Sequence, residues 1–290
     1  MRSIVSAEEL LELLERDDVR LVDARFDLTD PAAGRRAYRA GHLPGAIYLS
    51  LDENLSASVR LDGIGGRHPL PDPYEFAQAL GRAGIGSAHQ VIAYDAEGSA
   101  FAARVWWMLR WIGHDQARVL DGGVAAWKEA GGVLARQTPG WPPTRMDAHP
   151  RPHMTVDAGE VARRLEDPST LLIDARAVER YRGEIEPLDR KAGHLPGAWN
   201  LPYQGNLDDG RFLSTEALQA RYADAGEADE VIVYCGSGVT AAHAALAMEA
   251  AGHRLPRLYP GSWSDWSSRP DVPVAVGDET GSYRPHGDRR

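Results

Sequence analysis

Apolar positions along this chain follow two alternating rhythms. Short runs such as Leu21-Val22, Val91-Ile92-Ala93-Tyr94, Leu172-Ile173 and Val231-Ile232-Val233-Tyr234 are rich in β-favouring residues, which predicts buried strands. Between them apolar residues recur at helical spacing, from Ser6 to Leu14, Pro73 to Leu80, Ala102 to Trp111 and Ala241 to Met248. The first of these helices opens on Ser6 with Glu9 three residues later, a capping signature. Strands alternating with helices predict an α/β fold: a mostly parallel sheet flanked by helices on both faces, with sites at the C-terminal ends of the strands.

The pattern then repeats. Leu172-Ile173-Asp174-Ala175-Arg176 answers Leu21-Val22-Asp23-Ala24-Arg25, and Ala192 to Ala198 reproduces Ala40-Gly41-His42-Leu43-Pro44-Gly45-Ala46 residue for residue. Val231 to Cys235 answers Val91 to Asp95, and Leu258 to Trp263 answers Leu120 to Val124 more loosely. The copies lie too far apart for a solenoid and at the right distance for a duplicated domain. Pro139, Pro142, Pro143, Pro150 and Pro152 mark an extended linker between them. The expected organisation is one domain over 1–135, a linker over 136–153 and a second domain over 154–290. Residues 52–75 read as an irregular, Gly-rich excursion, and the polar stretch from Gly277 onward is expected to be loosely ordered.

Chemistry concentrates where one copy departs from the other. Cys235, the single cysteine of the chain, closes the strand Val231–Tyr234 and is followed by Gly236-Ser237-Gly238-Val239-Thr240 and an Ala-rich helix. Two glycines let such a loop turn its N–H groups inward, and a helix N-terminus adds its positive dipole end. The cradle so formed binds anions and favours thiolate. The first copy carries Asp95 at the matching place, so only the second owns a nucleophile. A lone cysteine excludes an internal disulfide and a cysteine metal cluster, and no cofactor or metal is expected.

With 32 basic against 42 acidic residues the net charge is −10, which argues against a nucleic-acid or anionic-membrane surface. An anionic substrate must then be drawn by local arginines. Met1 to Leu10 has no apolar signal core, and no apolar run of about 18 residues occurs, so the cytoplasm is the expected address, and a monomer is the expected state.

The paired Asp-Ala-Arg strand ends, the two Gly-His-Leu-Pro-Gly-Ala turns and the Cys235-Gly236-Ser237-Gly238-Val239-Thr240-Ala241 loop together resemble the two-domain rhodanese-type sulfurtransferases, over nearly the whole chain. The resemblance implies two tandem rhodanese-like domains, the first inactive, and a cysteine that cycles through a persulfide. A Cys-Gly-Ser-Gly-Val-Thr loop is similar to that of 3-mercaptopyruvate sulfurtransferases, while thiosulfate-preferring members carry a basic pair after the cysteine. The physical counterpart is that Gly236-Ser237 offers a hydroxyl and backbone donors where a dianion would want fixed charge. The resemblance further implies a relay of Ser237, His68 and Asp52, and anion-binding arginines matched here by Arg182 and, with a shifted register, Arg190. Gly236, Gly238, Val239 and Thr240 would cradle the donor. Its implied partners are a small anionic sulfur donor and a thiol acceptor such as thioredoxin, with cyanide as a laboratory substitute.

Other functions fit less well. A phosphate cradle of the Cys-x5-Arg type needs Arg where Ala241 stands, which disfavours a cysteine phosphatase. Thiosulfate:cyanide transfer, or a sulfur carrier without turnover, are the remaining alternatives. His42 and His194 recur in both copies and read as structural, as do Arg25 and Arg176, expected to pair with buried acids. The tryptophans, notably Trp106, Trp107 and Trp111, read as packing. Asp95 reads as a carboxylate capping the next helix.

Overall fold

The computed structural model describes residues 3–96 and 98–278. The chain forms two compact units. The first holds β1 (Ile4–Val5), α1 (Ala7–Leu13), β2 (Val19–Asp23), α2 (Ala33–Ala40), β3 (Ala46–Tyr48), α3 (Pro73–Arg82), β4 (Gln90–Tyr94), α4 (Ala100–Trp111), β5 (Ala117–Leu120) and α5 (Gly123–Glu129). Its five strands are all parallel, in the order β1-β5-β4-β2-β3. The second unit holds α6 (Ala158–Arg164), β6 (Thr170–Asp174), α7 (Val178–Arg182), β7 (Trp199–Asn200), β8 (Leu207–Asp208), α8 (Thr215–Arg221), α9 (Ala223–Glu227), β10 (Glu230–Tyr234), α10 (Val239–Ala250), β11 (Arg257–Leu258) and α11 (Ser262–Ser268), while the short β9 (Arg211–Phe212) belongs to the first. Its main sheet is parallel in the order β11-β10-β6-β7.

Local chemistry explains the elements. Ser6 Oγ accepts from Glu9 N at 3.2 Å to start α1, Asp72 caps α3 with Pro73 behind it, and Asp157 with Glu160 forms a reciprocal capping box on α6. The central strands β2, β4 and β6 are buried along their whole length, as parallel strands covered on both faces must be. Each sheet then closes a core: Leu10, Leu21, Ile92, Tyr94 and Trp127 in the first unit, and Leu172, Ile232, Tyr234, Trp263 and Trp266 in the second. Trp106 and Trp107 of α4 are fully buried, and the rings of Trp107 and Trp111 stack at 6.2 Å.

Both units carry the same buried polar staple. Asp23 pairs with Arg25 at 2.6 Å and accepts the Tyr94 hydroxyl at 2.8 Å, while Leu43 N donates to the same Tyr94 oxygen. Asp174, Arg176, Tyr234 and Leu195 repeat the arrangement. His42 and His194 stack on Tyr38 and Tyr181 and bond their carbonyls at 2.8 Å, inside the fold. Asp95 caps α4: it accepts from Ser99 N, Phe101 N and Ala102 N, while burial pushes its carboxyl up to about 7.

The units depart from a plain division of the sequence. Residues 58–69 belong to the second unit, in the midst of the first copy. The expected linker is irregular up to Arg151 but is fastened along the first unit, with Thr144 N on Gly81 O at 2.9 Å, Trp141 Nε1 on Gly45 O at 2.9 Å and His149 N on Ile112 O at 2.8 Å. Prolines deny it a helix, and Thr144, His149 and Arg151 give their N–H groups to carbonyls of the first unit while Asp147 N donates to Ser87 Oγ. Beyond Asp278 the polar C-terminal stretch lies outside the described residues.

Candidate active site

The site is assembled within the second unit, at the C-terminal end of β10. Cys235 follows Tyr234 and is 2% exposed. Gly238, with φ of 80°, reverses the backbone so that its N–H donates to Cys235 Sγ at 3.1 Å, and α10 starts directly after it. A side chain at Gly238 would strain this left-handed turn. The loop is pinned from above by α11: Trp263 N donates to Cys235 O at 3.0 Å, Ser264 N to Gly236 O at 2.9 Å, and Cys235 N to Ser262 Oγ at 3.2 Å.

Residues 58–69 form a strap over α11. Gly65 N donates to Asp265 Oδ1 at 2.9 Å, and a Cβ on Gly66 would fall 2.5 Å from Gly261 O, so only glycine allows this approach. The strap delivers His68, whose Nδ1 lies 2.8 Å from Ser237 Oγ, with both side chains buried. This expected pair is therefore together. Asp52 belongs to the first unit, is exposed, and has its carboxyl pushed above the ordinary range by desolvation and then by Glu53.

The two expected arginines lie away from the loop. Arg182 turns to the surface, where its Nε meets Asp278 at 2.6 Å, and Arg190 is exposed with its guanidinium near Gly63. Instead, the guanidiniums of Arg180 and Arg67 stand beside Gly236, 3.2 and 3.1 Å from where a Cβ would sit. Arg180 is held by Glu186 at 2.7 Å and Asp189 at 3.0 Å, and Arg67 by Asp189. Burial pushes Asp189 up, against the pull of Arg67. The cause of the difference is helical: Arg180 and Arg182 are two residues apart on α7, so they leave the axis about 200° apart. Arg67 had a signal in sequence, its position next to His68, which a strap places at the same cradle. Among the described residues no cluster of His, Cys, Asp or Glu could hold a metal ion, and no helix is long and apolar enough to cross a membrane.

A buried thiol in a backbone cradle, a hydroxyl–imidazole pair and two guanidiniums thus stand together on one unit of a tandem α/β fold. The pattern described as the rhodanese-like domain matches residues 6–130 and 157–269. The chain belongs to the rhodanese-like domain family. A Pseudomonas aeruginosa protein named "Probable 3-mercaptopyruvate sulfurtransferase" is 45% identical over 280 residues, covering 95% of this chain and 98% of that protein. A Mycobacterium tuberculosis protein named "Putative thiosulfate sulfurtransferase SseB" is 39% identical and covers 94% of this chain and 97% of its own. The crystal structure of SseA from Escherichia coli, described as a 3-mercaptopyruvate sulfurtransferase of rhodanese fold, superposes with a TM-score of 0.80 at 30% identity, covering 91% of this chain and 99% of that one.

Proposed function

We propose that this protein is a sulfurtransferase that moves sulfur from 3-mercaptopyruvate through a Cys235 persulfide to a thiol or cyanide. The observation that carries the reading is the buried Ser237–His68 pair at 2.8 Å, one loop residue away from Gly236 and two from Cys235. The Cys235 thiolate attacks the donor sulfur, the carbon–sulfur bond breaks, and its electron pair delocalises into pyruvate enolate. Ser237 and His68 supply a proton to that enolate. The acceptor thiolate then attacks the outer sulfur of the persulfide and Cys235 leaves as thiolate.

Arg67 and Arg180 favour a second reading, thiosulfate as donor, because they bring fixed charge to a loop that has none of its own. Asp189 and Glu186 offset that charge one for one, which suits a monoanionic carboxylate better than a dianion. A side-by-side assay of the two donors with cyanide as acceptor separates the readings. A large excess in catalytic efficiency for mercaptopyruvate is expected, and a preference for thiosulfate overturns the proposal. Ser237→Ala is expected to lower kcat/KM for mercaptopyruvate by about a hundredfold or more, the scale of general acid–base help, and to spare thiosulfate, whose sulfite leaving group needs no proton.

The arginines give a second test. Losing a hydrogen bond to a charged group costs about 1.5–3 kcal/mol, so Arg180→Gln should raise KM for mercaptopyruvate roughly tenfold to a hundredfold. Arg182→Gln should leave it unchanged. The reverse ranking would return the clamp to Arg182.

A further inference from the structure

Asp189 makes the contacts that a bound carboxylate would make. Its Oδ1 accepts from Arg67 Nη1 on the strap and its Oδ2 from Arg180 Nη2 on α7 at 3.0 Å, one oxygen to each guanidinium. The same two guanidiniums turn their other nitrogens to the cysteine loop, Arg67 Nη2 and Arg180 Nη1 lying 3.1 and 3.2 Å from where a Cβ on Gly236 would sit. The Asp189 side chain is 2% exposed. Glu186, equally buried, holds Arg180 at 2.7 Å and reaches back to Arg176 at 3.3 Å. Two guanidiniums and two carboxylates cancel, so a donor carboxylate simply added to them would leave a buried negative charge unmatched.

The segment that carries Asp189 is tied at its ends and loose between them. Ile185 N donates to Glu179 O at 3.3 Å, and Lys191 O accepts from Trp263 Nε1 at 2.8 Å. Among the described residues, 186–190 make no main-chain to main-chain hydrogen bond, and the N–H groups of Leu188 and Asp189 rest on one side-chain atom, Glu186 Oε1, at 3.1 and 3.2 Å. Leu188 is half exposed, so its side chain anchors little. Burial pushes the Asp189 carboxyl up against the pull of Arg67 and Arg180, and Ser264 of α11 adds a hydrogen bond to the ionised form. A segment with so few ties opens locally at small cost.

We infer that Asp189 is a built-in occupant of the donor's carboxylate position, and that the donor takes its place between Arg67 and Arg180 while residues 187–190 turn Asp189 out to solvent. This rests on the sulfurtransferase reading and adds how the donor is admitted. Glu186 stays, held also by Arg176, so the emptied position carries one net positive charge, which a monoanionic carboxylate neutralises. One carboxylate exchanges for another with no proton or electron moved. Between turnovers Asp189 keeps both guanidiniums paired and in place. Being tethered, it competes at a high effective concentration, which weakens the apparent affinity for every donor anion.

Pyruvate, a carboxylate without a sulfur to give, is the probe. It is titrated by calorimetry into wild type and Asp189→Asn, which keeps the side-chain shape and removes the charge. The variant should bind pyruvate about tenfold or more tightly, with KM for mercaptopyruvate falling in step. In wild type, the Leu188 and Asp189 amides should exchange hydrogen about tenfold faster with saturating pyruvate than without, while the Ile185 amide is unchanged. Equal or weaker pyruvate binding by the variant overturns the proposal, since Asp189 is then a positioning residue for the two arginines. Amides that exchange no faster in the complex overturn it as well, since Asp189 then stays in place as a fixed counter-charge; that measurement needs no variant and decides the matter if Asp189→Asn fails to fold. Wild-type protein that meets both expectations for pyruvate, yet turns over neither mercaptopyruvate nor thiosulfate, overturns the sulfurtransferase reading and leaves the carboxylate exchange standing.

Discussion

Cys235→Ser is expected to abolish sulfur transfer, by more than about 10⁴-fold in kcat, the scale on which loss of a nucleophile acts. The chain has no other cysteine, so no neighbour can take over the persulfide. The first unit cannot compensate either. Its equivalent strand end holds Asp95, whose carboxylate accepts Ser99 N at 3.1 Å, Phe101 N at 3.0 Å and Ala102 N at 3.1 Å. Backbone donors that would face a bound anion are thus occupied by a side chain of the protein itself. The substitution is gentle on the fold, because a serine oxygen can accept the Gly238 N–H that now meets Sγ and the loop remains pinned by Trp263 and Ser264. Mass spectrometry of wild-type protein after donor alone should show a gain of about 32 Da on the Cys235 peptide, the mark of a persulfide, and none in the variant. A variant that folds, yet still turns over donor, would remove Cys235 from the mechanism.

The fold was legible because its grammar is local and appears twice. Val91 to Tyr94 and Val231 to Tyr234 are uninterrupted apolar runs, and the two Asp-Ala-Arg ends and Gly-His-Leu-Pro-Gly-Ala turns fix where strands stop. The cradle was legible for the same reason, since Cys235, Gly238 and α10 are contiguous. What escaped was set by tertiary contact. Residues 58–69 have no periodicity, because their glycines answer to the backbone of α11 rather than to any element of their own, so their membership of the second unit leaves no trace in spacing. Arg180 and Arg182 are both plausible in sequence and differ only in which side of a five-residue helix they leave. Asp189, buried between Arg67 and Arg180, takes its role from partners 122 and 9 residues away, so spacing does not mark it.

Arg176→Ala is the largest expected effect on stability. The Arg176 side chain is 1% exposed and that of Asp174 is not exposed at all. Its guanidinium donates to Asp174 at 2.6 Å and to Gly193 O at 2.6 Å, reaches Glu186 at 3.3 Å, and lies 4.7 Å from the ring centre of Trp263. Removing it leaves a buried carboxylate with the Tyr234 hydroxyl and the backbone N–H of residue 176, and leaves the Gly193 carbonyl without this donor. Breaking a buried pair from one side costs about 3–5 kcal/mol, since the orphaned charge stays in a medium that solvates it poorly. For a domain of this size that is a fall on the order of 10 °C in Tm. The matched substitution Arg25→Ala should cost less, because Arg25 is 11% exposed and water can reach the gap. A double variant, Asp174→Asn with Arg176→Met, should recover part of the loss by removing both charges together. Glu186 loses one of its two arginines in Arg176→Ala and is freer to hold Arg180 closed, so the surviving enzyme should also show a raised KM for the anionic donor. Thermal melts of the three variants with wild type decide it: an Arg176→Ala Tm within about 2 °C of wild type would mean that the staple does not hold the fold as a buried ion pair.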